Sequence, residues 1–267
     1  RRPRRSPVWG PPPRAGGRAG GALSWCVPLP GPRLSVISIG EELVYIDRLP
    51  GPGQVYDVNS YALAAAARDA GADVNRVGIV DADPRRLRDV VEGQLVRAEV
   101  VVIAGAVGGW ASDQVCEALE GLGELEIARV AMHPGSVQGF GRLGRDEVPT
   151  FLLPSNPVGA LVVFEVMVRP LIRIALGRRQ PMRRIVRART ITPIQSMAGR
   201  KGYLRAQLMR DEATGEYLVQ PLGNSAGGSS HLLAAMSEAN SLIVVEPDDT
   251  EIRTGDKVRV AFLAQRG

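Results

Sequence analysis

From Leu34 to about Leu176 the apolar residues switch repeatedly between short unbroken runs and a helical spacing, and no other feature restricts the fold as strongly. Residues 34–38 and 74–80 read as strands, and 99–104 as a central strand covered on both faces. Between them Asn59 is placed to cap a helix over 60–70 that Gly71 ends. Asp83-Pro84, a capping carboxylate followed by proline at the first helical position, opens an amphipathic helix through Leu87, Val90, Val91 and Leu95. A small-residue loop at 105–112 leads to a helix near 113–119. Strands near 125–130, 137–143 and 150–153 follow, and then a long helix over 158–176. This order predicts an open α/β sheet, mostly parallel, with helices on both faces and right-handed crossovers. Such sheets bind ligands at the carboxyl ends of their strands, where 40–43, 104–113 and 154–157 fall.

Residues 178–184 read as a linker. Beyond it, short strands at 187–191, 203–209, 217–221, 241–245 and 257–263, split by Gly and Asp turns, predict a small β-barrel or sandwich with one short helix at 230–238. The division expected is therefore an α/β domain at 34–177 and a β domain at 185–267. Residues 1–33, rich in Arg, Pro and Gly and without periodicity, are expected to be disordered or adventitious. They carry seven Arg and no Asp or Glu, so the formal charge of +5 is local, and the remainder holds 26 basic against 28 acidic groups. Outside them the only basic cluster is Arg178-Arg179 with Arg183-Arg184, which argues against nucleic-acid binding.

Aromatic residues make up 4% of the chain, so the core has to be aliphatic and alanine-rich. Cys26 and Cys116 give no disulfide framework, and no His or Cys has zinc-ligand spacing. Cys116 falls on an apolar helix face and reads as a buried structural thiol. The longest apolar stretch, 158–175, is interrupted by Glu165, Arg169, Pro170 and Arg173, so no membrane span is expected. Arg1 to Arg5 are followed by Trp9-Gly10-Pro11 where a signal peptide needs an apolar run, and a cytoplasmic protein is expected.

Several segments at the expected ligand edge have chemistry to offer. In Ser38-Ile39-Gly40-Glu41-Glu42-Leu43 a strand end meets two carboxylates able to hold Mg2+ through oxygen; the alternative is a solvated turn. Gly51-Pro52-Gly53-Gln54-Val55-Tyr56-Asp57-Val58-Asn59 approaches a helix N-terminus, which favours an anion, while Asn59 serves equally well as a plain cap. Ala104 to Asp113 is a loop of small residues that lets a phosphate or pterin approach the backbone, or simply a tight turn. It lacks both the P-loop Lys-Ser/Thr and the dinucleotide glycine spacing. His133-Pro134-Gly135-Ser136 and Leu153-Pro154-Ser155-Asn156-Pro157 each set proline and small polar residues just after a strand.

In this order the segments resemble the molybdopterin molybdenumtransferase family, known as MoeA in bacteria and as the E domain of gephyrin in animals. The likeness covers about residues 34–264. Ser38 to Leu43 is similar to the family's S-T-G-D-E-L, and Gly53 to Asn59 to its G-Q-I-Y-D-x-N. Ala104 to Asp113 stands at its S-G-G-V-S-x-G-x-x-D, His133-Pro134-Gly135 at its K-P-G-K-P, and Leu153 to Val158 at its L-P-G-N-P-V. The resemblance implies insertion of molybdate into adenylylated molybdopterin with release of AMP, assisted by Mg2+, in a homodimer. It implies Glu41, Glu42 and Asp113 as metal ligands, with Glu42 and Asp113 catalytic. Ser38, Gly40, Asn59, Gly105, Val107, Pro154, Asn156 and Pro157 would line the pterin site.

The departures are specific. Ile39 replaces a threonine, Ala104 and Ala106 replace serine and glycine, Trp110 a loop glycine, Ser136 a lysine and Ser155 a glycine. Lost donors beside a retained framework suggest a second role, a gephyrin-like dimeric scaffold binding a peptide of a membrane receptor or cell-division protein. Family members also have two N-terminal regions that residues 1–33 are not expected to supply.

Overall fold

The computed structural model describes residues 30–222 and 238–263. The start of the chain and, apart from Glu238, the helix expected at 230–238 lie outside them. The first half runs β1 (Arg33–Ile39), β2 (Leu43–Val44), β3 (Val55–Tyr56), α1 (Asn59–Ala70), β4 (Asp73–Val80), α2 (Pro84–Arg97) and β5 (Val100–Val107). It continues through α3 (Ser112–Leu119), β6 (Gly123–Arg129), β7 (Met132–His133), β8 (Val137–Leu143), β9 (Val148–Pro154) and α4 (Pro157–Val163). A π-helical turn, Phe164–Val168, then joins α4 to α5 (Arg169–Ala175).

Six strands form one sheet in the order β4-β1-β5-β9-β8-β6. The first four are parallel, while β8 and β6 run antiparallel at one edge, so the expected mostly parallel sheet is present. Its two faces follow the period-2 alternation of the central strands. Leu34, Val36, Val100, Val102 and Leu153 pack against α1, α4 and α5 through Leu63, Ala64, Ala67, Val162 and Ile172. Their neighbours Ile37, Ile39, Val101, Ile103 and Leu152 face α2 and α3 through Leu87, Val91, Val115 and Leu119. The cap at α2 forms as read, Asp83 accepting from the Arg86 N–H at 2.9 Å; Asn156, expected at the pterin site, caps α4 by accepting from the N–H groups of Val158 and Gly159 at 3.0 and 3.3 Å.

Three expectations need correction. The long helix is interrupted before Pro170: proline has no N–H for the Val166 carbonyl, and its ring crowds that oxygen, so the backbone widens into the π turn. Cys116 is exposed, because α3 buries Val115, Ala118 and Leu119 instead. Asn59 does not cap α1; the helix begins at Asn59 itself with Val58 before it, and the Ser60 N–H is taken by Asp57.

The second half comprises β10 (Ile185–Thr190), β11 (Ile194–Gln195), β12 (Lys201–Arg210), β13 (Tyr217–Pro221), β14 (Ser241–Val245), β15 (Glu251–Ile252) and β16 (Lys257–Phe262). The order β13-β10-β16-β14-β12 closes through a β12–β13 pairing into a five-stranded barrel. β14 is buried at every position, and its alternation explains why Ser241-Leu242-Ile243-Val244-Val245 reads as an unbroken apolar run. Ile243 and Val245 fill the barrel, whereas Leu242 and Val244 join the core of the α/β domain. The barrel is thus welded to the sheet domain rather than tethered to it. β7 reinforces the joint, pairing Met132 and His133 in parallel with Lys201 and Gly202 of β12.

The segment between α5 and β10 is fixed by charge. Arg183 holds Glu165, in the π turn, with Nε–Oε2 at 2.8 Å and Nη2–Oε1 at 2.9 Å, both side chains 9% exposed. Arg169 donates to the Pro181 carbonyl at 3.1 Å and lies 3.7 Å from the same carboxylate. Burial lowers the pKa of Arg169; at Arg183 burial also disfavours the charge, but hydrogen bonds to Glu165 and its negative charge outweigh it and raise the pKa.

Candidate active site

The carboxyl ends of β1, β5 and β9 bring together the segments singled out in the sequence. β1 ends in a turn in which the Leu43 N–H donates to the Gly40 carbonyl at 3.2 Å. A Cβ at Gly40 would lie 2.9–3.0 Å from both Glu42 carboxylate oxygens, so that carboxylate folds back over the glycine. β5 continues to Val107, three residues past the expected strand end. Its register against β9 slips between Ala104 and Val107, leaving Gly105 and Ala106 as a bulge. Gly105 has φ +82°, and a Cβ there would stand 2.2 Å from the Ile39 carbonyl oxygen. Only glycine lets β5 pass this close to β1.

The side chain that organises this rim is Asp57, which was not among the candidate residues. It is fully buried and accepts from the Ser38 hydroxyl at 2.8 Å, the Ser60 N–H at 3.0 Å and the Ser60 hydroxyl at 2.5 Å. Arg76 donates to Ser60 Oγ at 3.3 Å while its guanidinium lies 3.9 Å from the centre of the Tyr61 ring. The carboxylate therefore locks the end of β1 to the start of α1. In sequence, the signal was a carboxylate two residues ahead of a helix and nineteen after a strand serine, and only the first interval is legible locally.

Asn59, held by this lock, donates from Nδ2 to the Ser155 carbonyl at 2.8 Å, across the sheet. Its Oδ1 is buried and has no hydrogen-bond partner among the described residues. A buried acceptor without a donor carries a cost of about 1–3 kcal/mol, which a bound N–H group would remove. Ser38 and Val107 are buried, so Val107 offers backbone only; Pro154, Asn156 and Pro157 are partly exposed along the rim.

The acids stand differently. Glu42 is half-buried, while Glu41 and Asp113 are exposed. Among the described residues no group of three or more His, Cys, Asp or Glu side chains is arranged to hold a metal ion. The Mg2+ set expected of Glu41, Glu42 and Asp113 thus finds no such arrangement. His133 sits on β7 between the two domains, its pKa pulled down first by burial and then by the charge of Arg200. The Gln138 amide donates to the Gly135 carbonyl at 2.9 Å and pins the turn that follows.

Comparison with known proteins agrees with this architecture. Residues 35–174 match the family model described as a probable molybdopterin binding domain, and 187–263 match the MoeA C-terminal region, domain IV. Molybdopterin molybdenumtransferase 1 of Mycobacterium tuberculosis is 71% identical over 238 residues, covering 89% of this chain and 56% of that protein. Molybdopterin molybdenumtransferase 2 of the same organism is 35% identical, over 87% of this chain and 56% of that protein. The crystal structure of the molybdopterin biosynthesis MoeA protein from Pyrococcus horikoshii superposes with a TM-score of 0.73 at 27% identity, covering 88% of this chain and 55% of that one. The chain spans a little over half the length of these relatives. No helix among the described residues is long and apolar enough to cross a membrane. Two family models met in order, on the fold they describe, place the chain in the molybdopterin molybdenumtransferase (MoeA) family.

Proposed function

We propose that the protein of which this chain is part inserts molybdate into adenylylated molybdopterin and releases AMP, with the ring bound at the rim of β1, β5 and β9. The observation that carries this reading is the orphaned Oδ1 of Asn59, a buried acceptor held in place by Ser155 and facing no donor among the described residues. An amino-substituted pterin presents N–H groups to it. Gly40 and Gly105 keep the approach free of side chains, and Asn156 and Pro157 border it. Preorganised dipoles of this kind stabilise developing charge without rearranging during the reaction. Asp57 acts at one remove, by fixing Ser38 and the first turn of α1.

Glu42 is the carboxylate nearest the glycine turn and is assigned to the reacting phosphate linkage; Asp113 supplies a second, at the start of α3. The described residues do not assemble a three-donor metal site, so no step is routed through Mg2+. A homodimer belongs to the same reading, as does a cytoplasmic location. The peptide-binding scaffold draws no support from the relatives, which carry transferase names.

The test is molybdate-dependent AMP release from adenylylated molybdopterin, using a full-length version that carries the upstream regions. Release is expected from the unmodified protein, and Asn59→Ala should lower it by about tenfold or more, the cost of one buried hydrogen bond. An unmodified protein that binds the substrate and releases no AMP would overturn the reading.

A further inference from the structure

We infer that Trp110 is the stacking platform of this site, its indole covering one face of a flat heterocycle that carries N–H donors. The inference rests on the functional reading above and adds a residue that belongs to this chain rather than to the family pattern, which has glycine there. Trp110 is the only tryptophan among the described residues and is 49% exposed. Among the described residues neither ring pair, Phe140–Phe151 or Tyr217–Phe262, includes it, and the cation–ring contact seen is Arg76 on Tyr61.

The loop that carries Trp110 is held in place. It is closed on one side by the Ser112 hydroxyl, which donates to the Gly109 carbonyl at 2.8 Å, and anchored by Ala111, 2% exposed. On the other side the loop rests on the rim: a Cβ at Gly109 would lie 3.8 Å from Ser155 Oγ, and one at Gly108 3.8 Å from Val137. Ser155 is the residue whose carbonyl receives Asn59. The loop bearing the indole therefore leans on the same turn that orients the unpaired Asn59 acceptor.

An exposed indole on a loop that rests against the turn receiving Asn59, whose Oδ1 has no donor among the described residues, suits a planar ring with N–H groups on its edge. It does not suit an aliphatic or purely anionic ligand.

The test uses the full-length protein in a Trp9→Phe, Trp25→Phe background, from which any upstream tryptophans are also removed, leaving Trp110 as the emitter. Molybdopterin binding is measured independently by equilibrium dialysis. Emission of Trp110 should fall along the dialysis isotherm, and Trp110→Ala should weaken binding by about tenfold or more while Trp110→Phe stays within about threefold. Binding that proceeds with Trp110 emission unchanged, or that Trp110→Ala leaves intact, overturns the inference and leaves the functional reading standing. Absence of binding by dialysis in the unmodified protein overturns the reading itself, and the inference with it.

Discussion

Asp57→Ala is expected to lower the unfolding free energy by about 3–5 kcal/mol, because it strands three buried donors at once. Those donors are the Ser38 hydroxyl, the Ser60 N–H and the Ser60 hydroxyl. Asp57→Asn keeps the shape and one acceptor oxygen, and should cost about half as much. Urea denaturation of the two variants checks the order, and a loss below about 1 kcal/mol for the alanine variant would show that the carboxylate does not organise the rim. The variant should also bind molybdopterin more weakly under conditions where it remains folded, since the first turn of α1 carries Asn59.

The second large effect is expected at Glu165. It is the buried carboxylate between Arg183 and Arg169, and removing it takes from both guanidinium groups the acid they share. Asp69, 3.5 Å from Arg183 and half exposed, is the acid that remains beside them, so Glu165→Ala should destabilise the protein by about 3 kcal/mol, well beyond what a surface ion pair contributes. The partners already fall short of full satisfaction, since Arg169 Nε and Arg183 Nη1 are buried without hydrogen bonds. Replacing both ends of the pair, Glu165→Met with Arg183→Leu, should recover most of the loss, because the desolvation penalty disappears with the charges. Equal destabilisation by the single and double variants would contradict this account and point to packing alone.

How much of this was legible beforehand depended on the range of the interaction. Caps are local, so Asp83 is readable from a few neighbouring residues. The unbroken apolar run of β5 likewise announces a central strand covered on both faces. Asn59 misled because the residue that captures the Ser60 N–H is Asp57, while Asn59 turns to Ser155, ninety-six residues away. Pairs this distant in the chain leave no periodic trace. The same holds for β7, two residues long, whose meaning lies in its pairing with β12 in the other domain. Pro170 was visible as an interruption, yet the π turn it induces, and the buried Glu165 displayed there, required the neighbouring linker to be in view. At the rim, small residues marked the loops correctly. The acids were chosen by position in a family pattern, and their exposure differs: Glu42 folds over Gly40, while Glu41 and Asp113 face solvent.

The account turns on where the ring binds, and hydrogen–deuterium exchange with and without molybdopterin measures that directly. Protection is predicted in three separated stretches, residues 55–60, 104–113 and 154–157, with little change in β10 to β16. Protection confined to the barrel, or to the opposite ends of the strands, would contradict it.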